Sequence, residues 1–115
     1  MAVDRTVQFV NGTAIVAGQT DAAVAAAVPG RRIRVLSVFA FPTTTPPVSM
    51  TFNSKGSGAG TAISPVLPFV ASVPLSIPGS AEVGLFQTNV GEALTVTNPA
   101  GTTLVAFMVA YVYVS

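Results

Sequence analysis

The chain has 115 residues, of which 50% are hydrophobic and only 8% are charged, and its net charge is +1 at pH 7. A soluble domain ordinarily carries about 25% charged residues, so this composition is typical of a protein that is packed against others rather than of a free monomer. The small net charge excludes a general attraction to nucleic acid or to an anionic membrane, and the absence of cysteine excludes disulfides and thiolate metal sites.

No stretch of the sequence predicts a membrane-spanning helix. The uncharged stretches 35–54 and 56–81 are interrupted by prolines. The continuous apolar run 104–114 has eleven residues, about half of what a spanning helix needs. Residues 1–6 do not begin a hydrophobic signal core, so we expect no secretion signal.

A hairpin is predicted near the start of the chain. Two short apolar runs, residues 7–10 and 13–17, flank Asn11-Gly12, the dipeptide that most strongly favours a two-residue hairpin turn. Residues 1–19 are therefore expected to form either an arm that extends onto a neighbouring subunit or, as Asn11-Gly12 favours, a hairpin of the domain.

The next segment, residues 21–28, is rich in alanine and has the composition of a helix. It is short and ends at a Pro-Gly pair, so we predict a strand in which sheet pairing overrides helix propensity. Val28-Pro29-Gly30-Arg31 then fits a type II turn, which takes proline at its second position and glycine at its third.

Residues 33–41 predict a strand, whose alternate side chains point to opposite faces. The predicted core face consists of Ile33, Val35, Phe39 and Phe41. The predicted opposite face consists of Arg32, Arg34, Leu36, Val38 and Ala40.

The basic cluster Arg31, Arg32 and Arg34 lies at the start of this strand and is the only concentration of charge in the sequence. A nucleic-acid surface would need more basic residues together with exposed aromatics for stacking. Three guanidinium groups can instead pair with carboxylates across a subunit boundary. We predict these arginines in a subunit interface, with a solvated strand end as the alternative.

Three further alternating segments predict strands at residues 48–53, 73–77 and 94–97. Their apolar side chains are Val48, Met50 and Phe52, then Val73, Leu75 and Ile77, then Leu94 and Val96. Pro74 favours a sheet edge for the second of them. Asn98-Pro99-Ala100-Gly101 fits a type I turn, which predicts that residues 92–97 run antiparallel to the C-terminal strand.

The C-terminal strand, residues 103–114, is apolar on both faces. One face consists of Leu104, Ala106, Met108, Ala110, Val112 and Val114. The other consists of Val105, Phe107, Val109, Tyr111 and Tyr113. A small antiparallel sheet ordinarily covers one face and solvates the other, so the second face needs a cover. We predict that Val105, Phe107, Val109, Tyr111 and Tyr113 lie between subunits; the alternative is cover by a loop of the same chain.

The sequence offers little for catalysis or metal binding. It contains no histidine or cysteine and only four carboxylates, which are scattered without metal-ligand spacing. We expect Glu82 and Glu92 to be solvated loop residues. The glycine-rich loop 55–61 has its lysine before the glycines, whereas a phosphate-binding loop has it after them, so we predict a connection between strands. No enzyme activity, cofactor or metal is expected.

About eight short strands, with turn signals every 8–12 residues, predict an all-β fold. We expect a single domain over residues 1–115, an antiparallel β-sandwich or jelly-roll-like barrel.

Several segments of the chain resemble small structural proteins of tailed bacteriophages. They are Arg31-Arg-Ile-Arg-Val-Leu-Ser-Val-Phe39, Val48-Ser-Met-Thr-Phe-Asn-Ser54, the glycine-rich connection, Gly84-Leu-Phe-Gln-Thr-Asn-Val-Gly-Glu-Ala-Leu-Thr-Val96 and the closing Tyr-Val-Tyr-Val. The resemblance spans roughly residues 28–114. It implies a β-sandwich or jelly-roll virion component, a head decoration (cement) protein bound on the capsid lattice, often as a trimer.

The leading hypothesis is therefore a non-enzymatic protein of the capsid surface, made in the cytoplasm of the bacterial host. We expect it to form a homo-oligomer, a trimer by this resemblance, and to bind the major capsid protein, with neither nucleic acid nor membrane as a partner. A phage tail, baseplate or fibre module makes almost the same demands on the sequence. A carbohydrate-binding jelly roll that acts in host attachment is the alternative from another class.

Overall fold

The computed structural model describes residues 7–15, 20–42, 48–69, 74–79, 83–98 and 105–115, and these residues form strands joined by turns and loops. The strands are β1 (Gln8–Ile15), β2 (Ala22–Ala25), β3 (Arg32–Pro42), β4 (Val48–Lys55), β5 (Thr61–Ala62), β6 (Leu67–Phe69), β7 (Leu75–Ile77), β8 (Phe86–Gln87), β9 (Ala93–Thr97) and β10 (Val105–Val114). None of the described segments is a helix long and apolar enough to cross a membrane.

Two antiparallel sheets pack as a sandwich, which confirms the predicted fold class. The front sheet has the order β1-β10-β3-β7, with β8 also paired to β3, and the back sheet has the order β2-β9-β4-β5, with β6 also paired to β4. Early strands pair with late ones, and the partners come progressively closer in sequence through the pairs β1–β10, β2–β9, β3–β7 and β4–β5. The result is an open sandwich rather than a closed barrel.

The core lies between the two sheets. The back sheet contributes Met50 and Phe52 from β4 and Leu94 and Val96 from β9, all fully buried, as their alternation predicts. The ring of Phe52 lies 5.3 Å, centroid to centroid, from that of Phe86 on the front sheet. An aromatic pair at this separation adds stabilisation to the area it buries.

A β-bulge in β3 reverses the predicted faces of its second half. Opposite β10, the register shifts between the pairs Ala110–Ser37 and Tyr111–Val35, so that β3 has one residue more than its partner. Because side chains alternate with period two, one extra residue exchanges the faces of everything beyond it. The buried side chains of β3 that join the core cluster are Ile33, Val35, Val38 and Ala40. The assignment of Phe39 and Phe41 to the core was therefore wrong, and both are exposed.

The predicted N-terminal hairpin is also wrong. Residues 8–15 form the single strand β1, and Asn11 and Gly12 pair with Met108 and Phe107 of β10. Asn11-Gly12 lies inside a strand because β10 offers β1 a longer pairing partner than the second strand of a short hairpin would. The register shifts after Gly12, which is typical of glycine at a bulge.

Strands β9 and β10 lie in different sheets, so the predicted antiparallel pairing of residues 92–97 with the C-terminal strand is wrong. β9 pairs with β2 and β4, whereas β10 pairs with β1 and β3. The chain crosses from the back sheet to the front sheet between them. Pro99, Ala100 and Gly101 of the predicted turn lie outside the described residues.

Two local predictions before β3 are confirmed. β2 is a strand despite its alanines. In the Val28–Arg31 turn the amide of Arg31 donates to the carbonyl of Val28 at 3.1 Å, and Gly30 has a φ of 76°, as a type II turn requires. Later in the chain, β7 stands at the edge of the front sheet, as Pro74 predicts.

Glycine at position 84 is expected to matter more than glycine at position 30, although both have positive φ. A Cβ at Gly30 meets no atom within 4 Å, whereas one at Gly84 lies 2.5 Å from Arg34 Cγ and 2.9 Å from the carbonyl oxygen of Val35. Gly30→Ala is expected to lower the free energy of unfolding by about 1 kcal/mol, the cost of a left-handed backbone for an L-residue. Gly84→Ala adds the steric conflict and is expected to cost about 3 kcal/mol. Urea denaturation of the two variants measures the difference; equal losses would contradict it.

Candidate functional site

An exposed apolar surface lies on the outer face of the front sheet. It consists of Phe9 on β1, Met108 on β10, and Phe39 and Phe41 on β3, which are 68%, 45%, 44% and 39% exposed respectively. We call these four residues the front patch. The strand register makes the patch continuous, because Phe9 lies opposite Ala110 and Met108 lies opposite Phe39.

Two adjoining grooves run through the front patch. The first, of about 120 Å³, is lined by Phe9, Ser37, Val38, Phe39, Ser76, Ile77, Pro78, Met108 and Ala110. The second, of about 160 Å³, is lined by Phe39, Phe41, Phe107 and Met108. Phe39 and Met108 form the wall that the grooves share. The side chains around both grooves are uncharged, and most of them are apolar.

The patch occupies only one end of the outer face. Towards the other end, Leu36, Ala110, Val112 and Val114 form a second apolar cluster that is already buried within the chain. Among the described side chains of β3, the exposed apolar ones are Phe39 and Phe41. The bulge in β3 produces this arrangement, because without it both phenylalanines would point into the core.

The face of β10 that was predicted to lie between subunits lies between the two sheets of one chain. Phe107, Val109 and Tyr111 are buried members of the core cluster, and Tyr113 packs against it. The sequence separates the two faces of β10 correctly, but the face that was predicted to contact a neighbouring subunit packs into the core of its own chain. This corrects the prediction for these residues. The backbone of Val105 pairs with Pro42, and its side chain lies outside the described residues.

The two tyrosines at the end of β10 make contacts within the chain. Their rings meet edge to face with centroids 5.7 Å apart, and the Tyr113 hydroxyl donates to the carbonyl of Ala26 at 2.9 Å. Burial, together with the neighbouring Tyr113, raises the pKa of the Tyr111 hydroxyl above its ordinary value. The hydrogen bond of Tyr113 joins the end of β10 in the front sheet to the residue that follows β2 in the back sheet.

The basic cluster lies at the start of β3 and contacts the segment that contains β8. Arg32 Nη1 donates to the carbonyl of Thr88 at 3.5 Å, and Arg34 Nε donates to Gln87 Oε1 at 3.3 Å. The backbone carbonyl of Arg31 accepts from the amide of Gly91 at 2.8 Å. The three side chains are half-buried, so part of each is already used inside the chain, and their role towards another subunit stays a prediction.

A polar network around Asp21 joins three parts of the back sheet. Its carboxylate accepts hydrogen bonds from Thr95 Oγ1 at 2.9 Å, from the Gly60 amide at 3.0 Å and from Asn53 Nδ2 at 3.1 Å. Its own amide donates to Thr97 Oγ1 at 3.1 Å. These bonds, the one from Gly60 above all, lower the pKa of the Asp21 carboxyl. The network ties the loop after β4 to the start of β2 and to β9.

Glu92 lies in a loop before β9, as predicted, but it is half-buried rather than solvated. Its carboxylate accepts from Ser54 Oγ at 2.6 Å and from Asn89 Nδ2 at 3.2 Å, and the Asn89 amide donates to Ser54 Oγ at 2.9 Å. Ser54 is buried, so its hydroxyl is closed to a substrate. Glu82 lies outside the described residues.

The glycine-rich loop connects β4 to β5, as predicted. Lys55 Nζ donates to the carbonyl of Gly58 at 2.6 Å, so the lysine closes its own loop. Within the described part of the chain, no three His, Cys, Asp or Glu side chains are grouped so that they could hold a metal ion.

Sequence reasoning missed all four residues of the front patch as site residues. The alternation that starts at Ile33 predicts Phe39 and Phe41 in the core only if it continues unbroken past the bulge. Phe9 was placed in a hairpin, and Met108 was placed on the face that was not chosen as the interface. The available signal was that residues 35–41 are apolar at almost every position, so that either phase of the alternation would fill a core.

Comparisons with known proteins show no similarity to this chain: no family model, no curated protein and no solved structure matches it. The function must therefore be argued from the geometry of the chain itself.

Proposed function

We propose that this chain is a non-enzymatic structural protein of a phage virion, a head decoration protein that assembles on the capsid surface by packing the front patch against a neighbouring subunit. The observation that carries the proposal is the front patch itself. Four large apolar side chains, 39–68% exposed, adjoin on one sheet face of a chain with only 8% charged residues. Contiguous exposed apolar patches mark interaction surfaces.

The size of the patch is suited to the centre of an interface. A phenylalanine side chain offers about 200 Å², so the exposed fractions of the four residues amount to roughly 400 Å². Covering this area contributes about 10 kcal/mol at about 25 cal/mol per Å². Association costs about 4–15 kcal/mol. The free energy gained by covering the patch is therefore close to the cost of association. A stable contact requires a surrounding rim that brings the buried area on each side to about 800 Å².

The polar groups of the chain support a structural role. The carboxylates of Asp21 and Glu92 accept hydrogen bonds from neighbouring strands and loops, and Ser54 beside Glu92 is buried. Catalysis needs an acid, base or nucleophile that reaches a substrate. These groups instead connect strands of the back sheet with the loops beside them.

Gold-labelled antibody against the purified chain tests this proposal on particles produced from the genome that encodes it. We expect label over the whole head surface of intact particles. Label confined to the tail or baseplate would contradict head decoration and favour a tail module, and particles without label would contradict a virion protein altogether.

A second arm tests the front patch. Particles assembled without this protein are mixed with the purified chain, and binding is measured by co-sedimentation. The double variant Phe39→Ser, Phe41→Ser is expected to lose binding by at least tenfold, since a chain without the contact to its neighbouring subunit binds the particle through its remaining contacts alone. Val66→Ser, which changes an exposed valine of the loop before β6, is the control and is expected to bind normally.

A further inference from the structure

We infer that the neighbour that covers the front patch is a second copy of this chain, packed face to face about a two-fold axis, with Phe9 of each copy in the first groove of the other. The inference rests on the proposed function and names the partner at that site. Three features of the patch carry it: a matching projection and groove, their position on one face, and the absence of charge around the groove.

Phe9 and the first groove match in size. Phe9 is 68% exposed, the largest value among the four residues of the patch. The groove holds about 120 Å³, and an apolar cavity of about 150 Å³ takes a benzene molecule. The groove is therefore close in size to a site for one aromatic ring.

The projection and the groove lie side by side on the same sheet face, and Phe9 itself forms one wall of the groove. A two-fold axis that lies between two facing sheets and passes beside Phe9 brings each ring to the groove of the other copy. One symmetry operation thus forms both contacts at once, as in an isologous interface. The two rings then lie near each other across the axis.

The charge distribution permits a copy to face a copy. Ser37, Ser76 and the apolar residues around the groove are uncharged, so among the described residues that line the groove no like charges oppose each other when the face meets itself. Two patches together remove roughly 800 Å² of apolar surface from water. That is about half of a standard interface of about 1,600 Å², with the remainder left to the rim of the front sheet.

The oligomeric state of the full chain tests this inference. In size-exclusion chromatography with light scattering, at about 100 µM, we expect the mass of a dimer, since interfaces of about 1,600 Å² have dissociation constants in the range from micromolar to picomolar. Phe9→Lys and Phe9→Asp are each expected to give monomers, because two like charges then meet beside the axis. An equimolar mixture of the two variants is expected to restore the dimer, since the charges become opposite. Val66→Lys, the control at an exposed position of the loop before β6, is expected to remain a dimer.

A monomeric wild-type chain would overturn the inference, and so would a Phe9→Lys variant that still forms the wild-type oligomer. A trimer that Phe9→Lys dissolves would overturn the two-fold arrangement. Circular dichroism of the variants verifies that they are folded. The outcome is separable from that of the proposed function: a dimer without label on particles contradicts only the virion role, and labelled particles with a monomeric chain contradict only the two-fold partner.

Discussion

Replacing Phe52 with alanine is expected to lower the free energy of unfolding by about 4 kcal/mol, a larger loss than that expected for either glycine substitution. Phe52 is fully buried on β4 and faces the ring of Phe86 across the sandwich. Its removal loses the transfer free energy of the ring and leaves a cavity between two sheets that cannot close. Since small domains are stable by about 5–15 kcal/mol, the variant is expected to be marginally folded. Guanidinium denaturation followed by circular dichroism measures the loss.

Phe9→Ala provides the matched control, the same chemical change at a side chain that is 68% exposed. At a protein concentration low enough that association contributes nothing, its loss is expected to stay below about 1 kcal/mol. Similar losses for the two variants would show that the packing of Phe52 between the sheets does not dominate stability.

Removing the carboxylate of Asp21 is expected to produce the second large effect. Asp21→Ala leaves the donors of Gly60, Asn53 and Thr95 without their acceptor. Alanine must also adopt the φ of 52° at this position, which aspartate and asparagine tolerate better. Hydrogen bonds to a charged group contribute about 1.5–3 kcal/mol, so we expect a loss of about 3 kcal/mol. Asp21→Asn keeps one acceptor oxygen and the backbone preference, and its loss is expected to be about half as large.

The same carboxylate makes stability depend on pH. The pKa of Asp21 in the folded chain is lowered from its ordinary value of 3.8, chiefly by the hydrogen bond from the Gly60 amide. The unfolded chain therefore binds the proton first as the pH falls. The stabilisation is complete above pH 3.8 and is lost as the pH falls through the folded-state pKa.

Denaturation series at several pH values from 6 to 2 measure this dependence. Asp21→Asn cannot titrate, so its stability is expected to fall less steeply with acidification than that of the wild type. Parallel curves for the two proteins would contradict a role of Asp21 in acid sensitivity.

The sequence predicted those features that depend on neighbouring residues. The alternation of Met50 with Phe52 and of Leu94 with Val96 identified buried faces, since a period of two is set by the strand itself. The Pro-Gly pair at Pro29 and Gly30 identified a turn, since proline fixes φ and glycine accepts a positive φ. The all-β fold class followed from many such local signals in succession.

The features that depend on distant partners were not predictable in this way. Asn11-Gly12 favours a hairpin locally, but pairing with β10, about 100 residues later, outweighs that preference. The register shift in β3 arises opposite β10, and nothing between Val35 and Phe41 marks its position in the sequence. β9 and β10 follow each other along the chain, yet their pairing partners place them in different sheets.

The candidate site was missed for the same reason. An apolar run that fills both faces of a strand identifies two burial surfaces but does not say which one meets the core of its own chain. The face of β10 that packs into the core carries the aromatic residues Phe107 and Tyr111, which bury the larger area. Met108 on the other face, together with Phe39 beyond the bulge, was left to form the exposed surface.

The position of β10 between β1 and β3 has a consequence during synthesis. β1 and β3 do not pair with each other in this sheet order, so β1 gains no partner among the described strands, and β3 gains none beyond β7 and β8, until residues 105–114 have been synthesised. Proteins dominated by such distant pairings fold slowly. Until β10 has left the ribosome, the edges of β1 and β3 that it will pair with stay uncovered. Aggregation competes most strongly with folding during this interval.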